Sequence, residues 1–166
     1  MKRNLAIFFL ILFILAIIWL FIEGLKPDVL PIGSKMPRIS YTDINGTKIL
    51  KPDNNNRTLI VYFSEKCPHC QFELNELNKN INKLENVKVY FFTSAKDYLE
   101  SENIKEYNAL LNSANTTFAI INLKEYQNKF GGNVTPALYF FNEEGILYAK
   151  KNGETKYKSI KKEIIL

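Results

Sequence analysis

The chain opens on eighteen consecutive apolar residues, Leu5 to Ile22 (LAIFFLILFILAIIWLFI), with no polar position to mark a face. As a helix rising about 1.5 Å per residue, the run spans roughly 27 Å, close to the hydrocarbon thickness of a bilayer. It predicts a transmembrane helix. The next stretch, EGLKPDVLPIGSKMPR, holds three prolines and two glycines without periodicity and reads as a tether. ISYTDINGTKIL then alternates around Asn45-Gly46, a dipeptide favoured in tight β-hairpin turns. TLIVYF, Thr58 to Phe63, is a continuous β-branched and aromatic run, the pattern of a strand buried on both faces. From Pro68 to Leu84, the residues Phe72, Leu74, Leu77, Ile81 and Leu84 recur at helical spacing, with Pro68 suited to the first turn.

The strand and helix unit then repeats with variations. VKVYFF (Val87 to Phe92) predicts a second buried strand, followed by a charge-rich helical segment from about Ala95 to Leu111. TFAIIN (Thr117 to Asn122) predicts a third strand, and LKEYQNKF a short helix that stops at Gly131-Gly132. VTPALYFFNEEGILYAKKNG reads as a strand opened by Thr135-Pro136, a turn at Glu143 to Gly145 and an antiparallel return, before a closing helix near YKSIKKEIIL. Strands alternating with helices imply a three-layer α/β domain with a mixed central sheet. With 166 residues there is room for one core. The predicted organisation is a cytoplasmic N-terminus at 1–4, a transmembrane anchor at 5–22, a tether at 23–38 and a globular domain at 39–166.

Charge orients this layout. Lys2 and Arg3 precede the apolar run, so the positive-inside preference keeps the N-terminus in the cytoplasm and sends the domain to the periplasmic or extracellular face. A cleavable signal peptide also begins with a basic region, but this run is longer than the usual apolar core, and WLFIEGLKP has no small-x-small cleavage site. No cysteine lies near its end to carry a lipid. The net charge of +5 is modest, and its one dense stretch, Lys150, Lys151, Lys156, Lys158, Lys161 and Lys162, lacks interleaved aromatic residues for base stacking. It reads as a solvated helix face, and no nucleic-acid partner is expected.

The only two cysteines and the only histidine fall together in Cys67-Pro68-His69-Cys70. A zinc site would need further ligands that no other cysteine or histidine can supply. A structural disulfide would close a loop too small to constrain the chain much. The reactive-pair reading explains more: Cys67 falls at a predicted helix N-terminus, where free N–H groups and the macrodipole favour thiolate. His69 can add a donor or a positive charge toward the Cys67 sulfur. Cys70, one turn further in, is placed to resolve a mixed disulfide by intramolecular attack.

TLIVYF feeding into SEKCPHC and a helix, with GGNVTPALYFFNEEGILY about 65 residues later, resembles the thioredoxin superfamily. IGSKMPRISYTDINGTKIL resembles the leader hairpin of its membrane-anchored TlpA/ResA-like thiol-disulfide oxidoreductases. The resemblance covers Ile32 to the end. It implies a thioredoxin-like three-layer sandwich, preceded by an N-terminal β-hairpin and one transmembrane helix, with Cys67 as nucleophile and Cys70 as resolving cysteine. It also implies that Pro136 is a cis-proline facing the dithiol and, with Thr135, binds the substrate backbone. Glu73, three residues after Cys70, matches a family acidic residue that influences proton transfer; read from the helix alone, it is equally a surface glutamate.

The departures from the pattern are informative. Val61 stands where thioredoxin has a buried aspartate six residues before the first cysteine, so proton handling falls to Glu73, to water or to nothing. Pro-His between the cysteines is the pair of strongly oxidising DsbA-like proteins, while the rest resembles the reducing family. The expected function is thiol-disulfide exchange with exported cysteine-containing proteins, apocytochrome among them, in the reducing direction. A membrane or extracytoplasmic redox partner would supply electrons. The redox-active Cys67–Cys70 pair is expected to work without a metal or other cofactor. A DsbA-like oxidant and a non-catalytic redox-sensing module are the alternatives.

Overall fold

The computed structural model describes residues 2–24, 28–53, 55–132 and 134–165, with the side chains of 2–6 and 21–24 outside the description. The first helix, α1, runs over Lys2–Gly24. Every described side chain on it, from Ile7 to Leu20, is exposed. Among the described residues, no helix is long and apolar enough to cross a membrane. Both ends of the predicted span, Leu5–Ala6 and Phe21–Ile22, lie outside the residues whose side chains are described.

The domain is built on one mixed sheet of seven strands: β1 Ser40–Asp43, β2 Gly46–Ile49, β3 Arg57–Tyr62, β4 Val87–Thr93, β5 Thr116–Ile121, β6 Ala137–Phe141 and β7 Leu147–Asn152. Their spatial order is β2-β1-β5-β4-β3-β6-β7. β3, β4 and β5 run parallel, and β6 and β7 return antiparallel on the β3 side. Successive side chains of a strand point to opposite faces, and β3 shows why its run is unbroken. Leu59, Val61 and Phe63 enter one core with Leu74, Leu77, Ile160 and Ile164, while Ile60 and Tyr62 enter another with Leu30, Ile39, Tyr126 and Phe130. The first core lies under α2 (Pro68–Asn80) and α5 (Tyr157–Ile165), the second under α4 (Leu123–Phe130). This is the expected three-layer arrangement.

Several boundaries differ from the sequence reading, each for a local physical reason. The hairpin joins the central sheet instead of merely preceding it, since β1 pairs antiparallel with β5 through Tyr41↔Ile121 and Thr42↔Ile120. Its turn is Ile44-Asn45, with Gly46 (φ 110°) already the first residue of β2. The Asp43 carboxylate, which accepts from the Asn45 N–H at 2.8 Å, fixes that register as an Asx turn. The predicted helix over 95–111 is mostly 3₁₀, at Tyr98–Glu100 and Glu102–Tyr107, and becomes α-helical only as α3, Asn108–Leu111. Tyr98, Ile104, Tyr107 and Leu110, the buried positions, are spaced in multiples of three, which suits a three-residue turn and not a 3.6-residue one.

The predicted tether at 23–38 is joined to the domain over its second half. Leu30 and Met36 are buried, and the Gly33 and Met36 N–H groups donate to Leu147 O (2.8 Å) and Gly145 O (2.7 Å). Gly145 cannot be replaced cheaply there: its φ is +74°, and an added Cβ would lie 2.5 Å from Pro52 Cγ.

Candidate active site

Cys67 is the N-cap of α2, in an extended conformation (φ −92°, ψ 115°), with Pro68 at the first helical position. Pro68 has no N–H to leave unpaired and presets the helical φ, so β3 turns into α2 without a side-chain cap. The Cys67 carbonyl accepts from the Cys70 and Gln71 N–H groups at 3.0 and 3.1 Å. That leaves the Cys67 sulfur at the open end of the helix, partly exposed, while Cys70 is fully buried against Leu74 and Phe63. Both cysteines are free thiols.

The two sulfurs differ electrostatically. Burial pushes the Cys67 thiol up, but hydrogen bonds from the Cys70 thiol and the Cys70 N–H, with smaller contributions from Thr135 and the His69 N–H, bring it below the ordinary thiol value. Cys70 goes the other way: burial raises it first, and donating to Cys67 raises it further. The Ser64 N–H lies 3.5 Å from the Cys70 sulfur. One thiol is poised as thiolate while its neighbour holds the proton. Brief alkylation at mildly acidic pH, followed by peptide mapping, is expected to label Cys67 well ahead of Cys70; preferential labelling of Cys70 would reverse their roles.

Thr135 and Pro136, almost seventy residues away in sequence, meet this end of the helix. The Thr135–Pro136 peptide is cis, and the Cys67 thiol donates to the Thr135 carbonyl at 3.6 Å. The preceding segment ends α4 at Gly131, whose φ of 70° lets its N–H reach back to Gln127 O at 3.1 Å. Asn133 lies outside the described residues.

Glu73 is not a surface residue. It is fully buried, with Cys70, Leu74 and Leu77, on the inward stripe of α2, whereas Phe72, which the spacing assigned to that stripe, is 39% exposed. The Thr155 N–H donates to Glu73 Oε2 at 3.0 Å, while Oε1 has no partner among the described residues. Burial pushes its carboxyl up to about 8, against the pull of the Thr155 N–H, and the charges of Glu154 and Cys67 add to the rise. Val61, in β3, is fully buried between Phe91 and Leu138 and brings no acid to the site. The buried carboxyl that feels the Cys67 charge is that of Glu73.

His69 is exposed and its ring is engaged elsewhere: Nδ1 lies 2.8 Å from Glu154 Oε2. The Glu154 hydrogen bond and charge hold the imidazole above its ordinary value, and the Cys67 charge adds the smallest of the contributions. Its own backbone N–H is what His69 hydrogen-bonds toward Cys67. Neither Glu154 nor Thr155 was identifiable in advance, since they lie 85 and 82 positions from their partners with no local motif. Among the described residues, no group of three or more His, Cys, Asp or Glu side chains gathers to hold a metal ion.

Solved structures share the fold at low sequence identity. A peroxiredoxin-like protein from Aquifex aeolicus matches with a TM-score of 0.67 and 17% identity, over 84% of this chain and 88% of that one. The thioredoxin domain of a thiol-disulfide oxidoreductase from Bacteroides vulgatus gives 0.66 and 20%, over 81% and 99%. A thiol:disulfide interchange protein from Bacteroides sp. gives 0.63 and 19%, over 83% and 93%. No curated protein matches the chain. The family model of the thioredoxin-like domain matches residues 42–164, which contain the sheet, the dithiol and the Thr135–Pro136 turn, and the chain belongs to that family.

Proposed function

We propose that this protein is a membrane-tethered thiol-disulfide oxidoreductase that reduces disulfides of exported proteins. The observation that carries the reading is the asymmetry of the dithiol: a partly exposed, thiolate-poised Cys67 beside a buried, protonated Cys70. The Cys67 thiolate attacks a substrate disulfide, breaking its S–S bond and releasing one substrate sulfur as a thiolate that takes up a proton. Cys70 then loses its proton and attacks the Cys67 sulfur of the mixed disulfide, releasing the second substrate thiol. The substrate gains two electrons, and the Cys67–Cys70 pair leaves as a disulfide. A dithiol partner at the membrane must reduce it again.

The surroundings support each step. Thr135 beside Cys67 offers backbone for an extended substrate segment to pair with, as an added strand would. Exposed Val134, next to Thr135 in the chain, offers apolar contact area. Glu73, buried a helical turn from Cys70 with Oε1 unpartnered among the described residues, is in its ionised form the group to take the Cys70 proton. An N-terminal helix with a continuous apolar run and all described side chains uncovered supports an anchor in lipid, and the basic residues before it favour a domain outside the cytoplasm.

Pairing of His69 with Glu154 favours the reducing direction, because the imidazolium charge is compensated instead of being spent on the Cys67 thiolate. The reduction potential of the pair tests this. A value nearer the thioredoxin end of the known scale, about −270 mV, is expected, and one near the DsbA end, about −120 mV, would make the protein an oxidant.

A further inference from the structure

The short loop between β7 and α5 touches three parts of the site at once. The Gly153 N–H donates to Pro136 O at 2.8 Å, Glu154 holds the His69 ring at 2.8 Å, and the Thr155 N–H donates to the Glu73 carboxylate at 3.0 Å. The loop is itself braced, with Thr155 buried and its hydroxyl donating to Gly153 O at 3.1 Å. We propose that residues 153–155 form a positioning strap for the dithiol, in which Glu154 sequesters the His69 imidazole so that its charge is withheld from Cys67. The proposal rests on the thiol-disulfide reading and explains how a Pro-His motif can serve a reductant.

The His69–Glu154 ion pair contributes little to the fold. Its side chains are 68% and 37% exposed, and pairs in such settings add little to stability. Its bearing on the sulfur is electrostatic, since His69 lies two residues from Cys67, is the only side chain of the motif that can carry a positive charge, and feels the Cys67 charge. The ring has two anions to choose from, Cys67 and Glu154, and it bonds to Glu154. While that bond holds, the imidazolium charge is offset by the Glu154 carboxylate. Breaking it leaves an unpaired imidazolium at pH values where His69 is protonated. The thiolate is then stabilised, the dithiol form gains relative to the disulfide, and the protein becomes more oxidising.

The test uses the full-length protein in detergent. Glu154→Ala, and Glu154→Gln as the variant that preserves side-chain volume, are compared by the pH dependence of Cys67 alkylation and by redox equilibration against a reference dithiol. Cys67 is expected to titrate at lower pH in both, with several-fold faster alkylation under mildly acidic conditions. The dithiol–disulfide equilibrium should shift several-fold toward dithiol, a tenfold shift corresponding to about 30 mV. On a His69→Val background, the same Glu154 substitutions should leave both readouts where His69→Val alone puts them. An unchanged Cys67 titration in both Glu154 variants would overturn the proposal, and so would an equal shift with and without His69. Alkylation requires no turnover, so it can fail or succeed independently of whether the protein proves to be an enzyme.

Discussion

Cys70→Ala is expected to turn the protein into a trap that holds substrates as mixed disulfides on Cys67, whereas Cys67→Ala should capture none. In the parent, the Cys67–substrate bond is broken by a thiol on the same helix, one turn away and oriented by the Cys70 N–H bond to Cys67 O. Well-oriented intramolecular attack of this kind has effective molarities of up to about 10⁵ M or more. Without Cys70, release depends on free thiols at far lower concentration. The mixed disulfide should therefore live longer by a factor on the order of 10³ or more. Non-reducing electrophoresis and mass spectrometry of the two variants, incubated with a disulfide-containing protein, read the result directly. Equal trapping by both would mean that the two sulfurs are interchangeable, which the burial of Cys70 contradicts.

The second large effect concerns the stability of the reduced protein against pH. Glu73 has a carboxyl raised from 4.5 to about 8, chiefly by burial. The folded state therefore holds a proton that the unfolded state has already lost between those values. With more protons bound folded than unfolded, stability is fully present below the unfolded pKa and declines as pH rises through the folded one. At about 1.4 kcal/mol per unit, the decline from about pH 5 to about pH 8 is on the order of a few kcal/mol. Glu73→Gln keeps an oxygen for the Thr155 N–H but cannot ionise, so it should remove most of this slope and make the protein more stable at the alkaline end. Cys67, held below its ordinary value, contributes with the opposite sign, and comparing variant with parent isolates the Glu73 part. Denaturant titrations at the two pH values measure it, and parallel slopes in parent and variant would show that Glu73 is ionised throughout. The same variant should slow release of substrate from Cys67 more than it slows alkylation of Cys67, because the proton at issue is the one on Cys70.

Local patterns carried much of this site. The unbroken apolar run of β3, the proline after Cys67 and the apolar positions of α2 determine a strand-to-helix junction with a sulfur at its tip, and all are written within some thirty residues. Thr135-Pro136 was legible only through resemblance to a family, since a lone X-Pro at a strand start has several meanings. The sequence leaves Glu73 open between an acid near the dithiol and a surface glutamate, although its spacing of three residues from Cys70 and four from Leu77 puts it on the buried stripe, while Phe72 beside it is not. A glutamate is rarely fully buried without a partner, and that expectation obscured the spacing. The three-residue period of Tyr98, Ile104, Tyr107 and Leu110 was likewise present in the sequence and pointed to 3₁₀ turns.

What could not be read was long-range. The place of the hairpin beside β5 depends on backbone pairing between segments some eighty residues apart, with no side-chain signature. The strap formed by residues 153–155 acts partly through backbone N–H groups, which every residue but proline possesses. Glu154 looks like one more charge in a lysine-rich stretch until the fold brings it to His69.

The most direct test of the central claim is catalysis itself: the rate at which the full-length protein, with a dithiol as electron source, reduces the disulfide of an unfolded protein substrate. Turnover well above the rate with dithiol alone, abolished by Cys67→Ala, is the predicted result. A rate no greater than the uncatalysed background, with Cys67 reduced and accessible, would contradict the enzyme reading and leave a thioredoxin-like module that binds or senses without turning over.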